Sequence, residues 1–220
     1  MSKIGEVKYD FMNWGPFLMK TTLPDYIIKK LKTEGKKAKE SYNHALAGHL
    51  KNQFLYPEPF QRWFYNEIHP IITAYRKGHC KFHGIEELDI ELGTDDLWVN
   101  FMKSGEWNPS HNHAGEISLV TYLKVPNEIN EENTKGTHSK KSNTPTAGKI
   151  EFTYGDTIPF SNTGLICTPV EKAVYIFSAK LKHMVYPFKS KKERWSVSCN
   201  FANKHTTEMM LNGDGETIKK

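Results

Sequence analysis

The sequence predicts an α+β chain in which helices come first and an antiparallel sandwich or barrel follows. Three observations carry this reading. Apolar residues recur at three-to-four spacing through roughly the first ninety positions, the period changes to two from about Leu88, and no helical stretch separates the later short strands. At 220 residues the chain fits one domain with some elaboration and can bury a real core. The expected organisation is a helical region at 1–87 packing on the barrel, a barrel core at 88–203 with a mobile loop at 127–147, and a disordered tail at 204–220.

Taken in order, Pro24-Asp25 opens a helix that puts Ile27, Ile28 and Leu31 on one face and lysines on the other. A second helical stretch is expected from Tyr42 to Phe54. A third starts near Pro59 and carries Phe60, Phe64, Ile68, Ile71, Ile72 and Tyr75, with Pro70 expected to kink or split it. Strands follow at Leu97 to Met102, Ile117 to Val125, Lys149 to Tyr154, Ala173 to Phe177 and Arg194 to Phe201, divided by Gly, Pro and Asn clusters. The polar stretch between Asn127 and Gly148 holds too little apolar surface to order itself and reads as a lid or an insertion.

Composition narrows the function classes. Hydrophobic residues at 38% with five tryptophans describe a globular protein. The net charge of +5 comes from short lysine runs such as Lys36-Lys37, Lys140-Lys141 and Lys191-Lys192, set beside serine, threonine or glutamate. A solvated surface accounts for them better than a nucleic-acid groove, which would interleave basic and aromatic residues along one element. Cys80, Cys167 and Cys199 are scattered without CxxC spacing, against a disulfide framework. No apolar run reaches the length of a membrane span and no signal peptide is legible, so the expected location is the cytoplasm, with no membrane and no nucleic-acid partner.

Two segments carry chemistry. In the last strand Arg194, Ser196, Ser198 and Asn200 alternate with Trp195, Val197, Cys199 and Phe201, so four polar groups share one face. An arginine with a hydroxyl two residues on can clasp a carboxylate, and polar residues facing into a barrel make sense around a polar ligand. The other segment is Trp107-Asn108-Pro109-Ser110-His111-Asn112-His113-Ala114-Gly115-Glu116. His111 and His113 point the same way in extended chain, and His183 comes near the end of another strand, so imidazoles converge from two strands as a metal site requires. Glu116 is near enough to supply a carboxylate. His79 and His83 beside Cys80 lack a second half-site, while His44, His49 and His69 read as structural and His138 as exposed.

On these residues the sequence resembles the 2-oxoglutarate- and Fe(II)-dependent oxygenases, especially the prolyl-hydroxylase-like group with its phage and marine bacterial relatives. The resemblance covers roughly Leu97 to Phe201. It lies in His111 near a strand end, Thr121-Tyr122-Leu123-Lys124-Val125-Pro126, Gly148-Lys149-Ile150-Glu151-Phe152, the strand from Pro169 to Phe177 leading to His183, and Arg194 followed by Ser196. It implies a double-stranded β-helix, the jelly-roll or cupin-like barrel, with helical N-terminal support. It also implies Fe(II), 2-oxoglutarate and O2 as cofactor and co-substrates, with ascorbate as an accessory reductant. The reaction implied is hydroxylation of a peptidyl substrate, proline among the candidate residues, with conversion of 2-oxoglutarate to succinate. Arg194, Ser196 and Tyr122 would hold the distal carboxylate, and Trp98 and Asn100 would border the pocket.

One departure from the family pattern stands out. Where it has aspartate two residues after the first histidine, this chain has His113. The metal then takes His111, His113 and His183, which is the preferred set, or Glu116 replaces one of the first two. A cupin-like metalloprotein and a barrel kept only as a binding or structural module are the competing readings.

Overall fold

Why each strand buries the residues it does follows from where it sits between layers, in a computed structural model that describes residues 15–87, 91–135 and 137–203. The elements are β1 (Leu18–Thr22), α1 (Asp25–Gly35), β2 (Glu40–Ser41), β3 (Gln53–Leu55), α2 (Glu58–His83), β4 (Leu92–Met102), β5 (Asn108–His111), β6 (Ile117–Lys124), α3 (Asn127–Glu131), α4 (His138–Lys141), β7 (Ile150–Thr153), β8 (Gly164–Cys167), β9 (Ala173–Ser178), β10 (Lys182–Val185) and β11 (Arg194–Asn203). They form a seven-stranded sheet in the order β1-β9-β6-β11-β4-β3-β2 and a four-stranded sheet in the order β5-β10-β7-β8. Every strand pair is antiparallel. The architecture is a helix-backed double-stranded β-helix, as the sequence leads one to expect.

The period of two in the central strands sorts their side chains between two cores. Leu119, Leu123, Val197, Cys199 and Phe201 pack with Ile27, Leu31, Phe64, Ile68 and Ile72 between the larger sheet and the helices. Val120, Tyr122, Tyr175 and Phe177 join Ile150, Phe152, Leu181 and Val185 between the two sheets. Strand β6 is therefore buried on both faces along almost its whole length, which is why it reads as a nearly continuous apolar run.

Three expectations change. Tyr42 to Phe54 is not a helix: one 3-10 turn at Asn43–Ala45 leads into an extended connection and then β3. Leu46, Leu50 and Phe54 fall four apart and imitate a helical face, but pairing of Gln53 with Asn100 and of Phe54 with Val99 on β4 decides the conformation. The 1–87 region thus contributes three strands to the larger sheet as well as two helices. Pro70 does not split α2, which runs unbroken for 26 residues; Pro70 lies on the exposed side while Ile68, Ile72 and Tyr75 stay buried.

The third correction concerns the 127–147 loop. Ile129 is fully buried beside Val125, Ala147 and Phe188. The Glu132 carboxylate accepts the backbone N–H groups of Lys189 and Ser190 at 2.9 and 2.7 Å. Asn133 Nδ2 donates to Ala147 O at 2.9 Å, and Ser139 Oγ donates to Asn133 Oδ1 at 2.8 Å. A polar average concealed one buried anchor and a set of side-chain-to-backbone bonds that satisfy the chain. The expected tail at 204–220 lies outside the described residues, as do 1–14, 88–90 and 136.

Candidate active site

The smaller sheet positions two imidazoles. His111 ends β5 and faces His183 of β10 across the strand pair, with ring centroids 4.3 Å apart. His111 Nδ1 lies 2.7 Å from Pro109 O, and His183 Nδ1 lies 2.9 Å from Leu181 O. A ring whose Nδ1–H is committed to a carbonyl presents a bare Nε2, the arrangement that orients metal-binding histidines. His113 follows the strand, anchored by its N–H to Ala179 O at 2.8 Å. Its Nε2 lies 3.2 Å from His183 Nε2. One nitrogen from each of the three rings lies within 4.8 Å of the other two, a grouping that could hold a metal ion.

Burial sets the protonation of this cluster. His183, packed against Phe177 and Phe152 with centroids 4.9 and 5.9 Å away, has its pKa pushed down to about 3 by burial and then by His111. Burial and the same neighbour take His113 down to about 4, and burial lowers His111. All three are therefore neutral at physiological pH, the form in which imidazole coordinates metals.

From the larger sheet comes the opposite charge requirement. Arg194, 3% exposed, starts β11. Its Nη1 donates to Gly148 O at 2.5 Å, and Nη2 lies 2.9 Å from Met102 Sδ. Its Nε is buried without a partner. The guanidinium sits 5.5 Å from the Tyr122 ring centroid. No carboxylate among the described residues pairs with it. Burial raises Tyr122 to about 12, with Arg194 opposing the rise, so its phenol keeps the proton and remains a donor.

Histidines and guanidinium line one cavity of about 170 Å³. Ser196, Ser198 and Asn200 line it as the alternation of β11 predicts, and Trp98, Asn100 and Tyr122 are also on its wall. The volume is below the range of drug-sized pockets and suits a small co-substrate. Glu116 is placed elsewhere: it is exposed, and its carboxylate accepts Asn203 N–H at 2.8 Å. His79 and His83, tilted against each other with ring centroids 4.5 Å apart, line a separate groove. His44, His49 and His69 each sit against an aromatic ring, and His138 is exposed.

Sequence reasoning missed Gln53, Ser118 and Asn108, together with the Ala45–Gly48 wall. Gln53 Nε2 donates to Asn100 Oδ1 at 2.8 Å, Asn100 Nδ2 reaches Ser198 Oγ at 3.4 Å, and Ser118 Oγ donates to Asn200 Oδ1 at 2.8 Å. Ser118 was legible, because it precedes Val120 and Tyr122 on the inward face of β6. Gln53 was hidden by the mistaken helix.

A family model described as "Putative 2OG-Fe(II) oxygenase" matches residues 96–200, from β4 to β11, and so contains the three histidines, Arg194 and Ser196. Over this segment the chain is similar to the 2OG-Fe(II) oxygenases. HygX from Streptomyces hygroscopicus, with nickel, 2-oxoglutarate and hygromycin B bound, overlays at TM-score 0.55 and 8% identity, covering 87% of this chain and 84% of that one. An oxidoreductase of the 2OG-Fe(II) oxygenase family from Burkholderia pseudomallei overlays at TM-score 0.50 and 14% identity, covering 83% and 84%. A Pseudomonas putida prolyl-4-hydroxylase overlays at TM-score 0.49 and 13% identity, covering 84% and 92%. No curated protein sequence matches the chain. The first two structures share the fold of this chain. No helix among the described residues is long and apolar enough to cross a membrane.

Proposed function

We propose that the chain is an iron(II)- and 2-oxoglutarate-dependent hydroxylase in which His111, His113 and His183 hold the metal while Arg194, Ser196 and Tyr122 hold the co-substrate. The observation that carries this is the Arg194 guanidinium, buried without a carboxylate and with a free Nε, in the same small cavity as three convergent imidazoles. A buried charge left unpaired is costly, so the site is built for an anion that arrives with the ligand. The donor set fits the group: neutral imidazoles suit iron, and a planar fork suits a carboxylate.

When bound, iron(II) with 2-oxoglutarate supplies oxidative decarboxylation to succinate and CO2, with one oxygen atom of O2 passing to a C–H bond. The chain's own part is to bind, orient and keep water out. Carbonyls of Pro109 and Leu181 fix two imidazoles with Nε2 inward. Arg194 Nε, the Ser196 hydroxyl and the Tyr122 phenol are donors for one carboxylate, and Phe152 and Phe177 keep solvent from His183.

The acceptor we propose is a peptidyl residue, prolyl among the candidates. The resemblance to the prolyl-hydroxylase-like group supports this, and Asn108 and Asn112 on the cavity wall offer carboxamides suited to uncharged amide groups. A cytoplasmic setting is part of the same reading, supported by the scattered thiols of Cys80, Cys167 and Cys199.

The test is anaerobic titration of Fe(II)-loaded protein with 2-oxoglutarate, watching for the weak visible absorption of keto-acid chelation. A band that appears in the wild type and is lost in Arg194→Ala supports the assignment. Iron bound with no band would favour a cupin-like metalloprotein, and no iron at all a barrel without this chemistry.

A further inference from the structure

None of the described residues lining the cavity is an aspartate or a glutamate. The polar groups between metal cluster and clamp, Gln53, Asn100, Ser118, Ser198 and Asn200, are uncharged and spend their capacity on one another. The nearest carboxylate in sequence, Glu116, is exposed and bonded to Asn203 N–H. Arg194 is the one permanently charged side chain on the wall and has no counterion among the described residues.

Ordinarily a carboxylate ligand cancels half the charge of a divalent ion. Here His113 stands in that place, and an imidazole ligand brings no charge. A divalent ion added to Arg194 puts three positive charges around a small cavity whose described lining offers no anion. Like charges there are weakly screened, so each opposes the other's burial. A dicarboxylate that reaches both ends removes most of that penalty at once.

We propose that metal and dicarboxylate bind this site as a mutually dependent pair, each sharply raising the affinity of the other, because the described cavity wall supplies no anion. This rests on the ligand set and clamp proposed above. The substitution at position 113 thereby acts as a gate: the metal is retained well only with co-substrate present. Linkage requires the two affinities to rise by the same factor.

The experiment uses the full chain under anaerobic conditions and Mn(II) as the probe, with free ion read by electron paramagnetic resonance. Titrations are run alone, with saturating 2-oxoglutarate, and with succinate, which carries both carboxylates but lacks the keto group. In the wild type 2-oxoglutarate should raise Mn(II) affinity by roughly a hundredfold and succinate by about tenfold. His113→Asp, which adds an anion, should bind Mn(II) alone more tightly and show a 2-oxoglutarate factor of roughly tenfold or less. A factor in His113→Asp as large as in the wild type overturns the inference. Should that variant not fold, the succinate arm decides, and no rise in Mn(II) affinity with succinate overturns it. The functional reading underneath fails differently, by Mn(II) not binding even with 2-oxoglutarate or by Arg194→Gln keeping full 2-oxoglutarate affinity.

Discussion

His183 lies opposite His111 across the β10–β5 pair, and each ring places Nδ1 against the carbonyl two residues before it, Leu181 O at 2.9 Å and Pro109 O at 2.7 Å. Two strands thus orient two imidazoles by the same local device, without a second side chain. His113 completes the group from the turn beyond β5, held by backbone pairing to Ala179.

Removing the buried member should therefore cost most of the metal affinity. His183→Ala is expected to weaken Mn(II) or Co(II) binding by more than roughly a hundredfold, beyond the loss typical of changes around a ligand. Stoichiometric metal retained in equilibrium dialysis would show that His183 is not a ligand.

At the other end of the cavity, Arg194→Ala should raise the Kd for 2-oxoglutarate about a hundredfold, equivalent to roughly 3 kcal/mol for a lost charge-assisted bond. Metal affinity measured without co-substrate should not fall, because a repelling charge has been removed. Calorimetric titration checks both, and an unchanged Kd for 2-oxoglutarate would sink the clamp assignment.

Gly148 links the clamp to the folded loop. Its carbonyl accepts the Arg194 Nη1 bond, its φ is +67°, and an added Cβ would lie 2.5 Å from Ile129 Cγ2. Gly148→Ala should cost about 1–2 kcal/mol for the left-handed backbone alone, more with the clash, and should also weaken 2-oxoglutarate binding by turning the carbonyl. Denaturant melts and 2-oxoglutarate titration separate the effects. Lost stability with unchanged affinity would mean that this carbonyl does not set the guanidinium.

How much of this was legible depended on whether the signal was local. The alternation Arg194, Ser196, Ser198, Asn200 states which face of β11 is polar, and the cavity bears it out. The five strands read from period two all exist, within a few residues of their expected ends. What failed was decided by distant partners. Gln53 belongs to a strand only because β4 is there to pair with it. Strands β5 and β10 are four residues each, too short for periodicity, so the expected convergence of the three histidines rested on residue types and spacing rather than on these strands. Residues 127–147 looked idle on average because average polarity says nothing about one isoleucine with a place to go.

That isoleucine gives the final expectation. Ile129 is 0% exposed, packed with Val125, Ala147, Gly148 and Phe188. Glu132, three residues on, caps the N–H groups of Lys189 and Ser190, just before the strand that begins with Arg194. Ile129→Ala should destabilise the fold by about 2–4 kcal/mol, the usual range for a buried large-to-small change. Because Ile129 packs against Gly148, whose carbonyl accepts the Arg194 bond, the variant should also loosen 2-oxoglutarate binding by severalfold. A loop idle in solution predicts otherwise: a stability change under about 0.5 kcal/mol, as for surface positions. Urea denaturation of wild type and variant, with 2-oxoglutarate affinity measured on the same samples, distinguishes a segment that braces the clamp from one that merely covers the barrel.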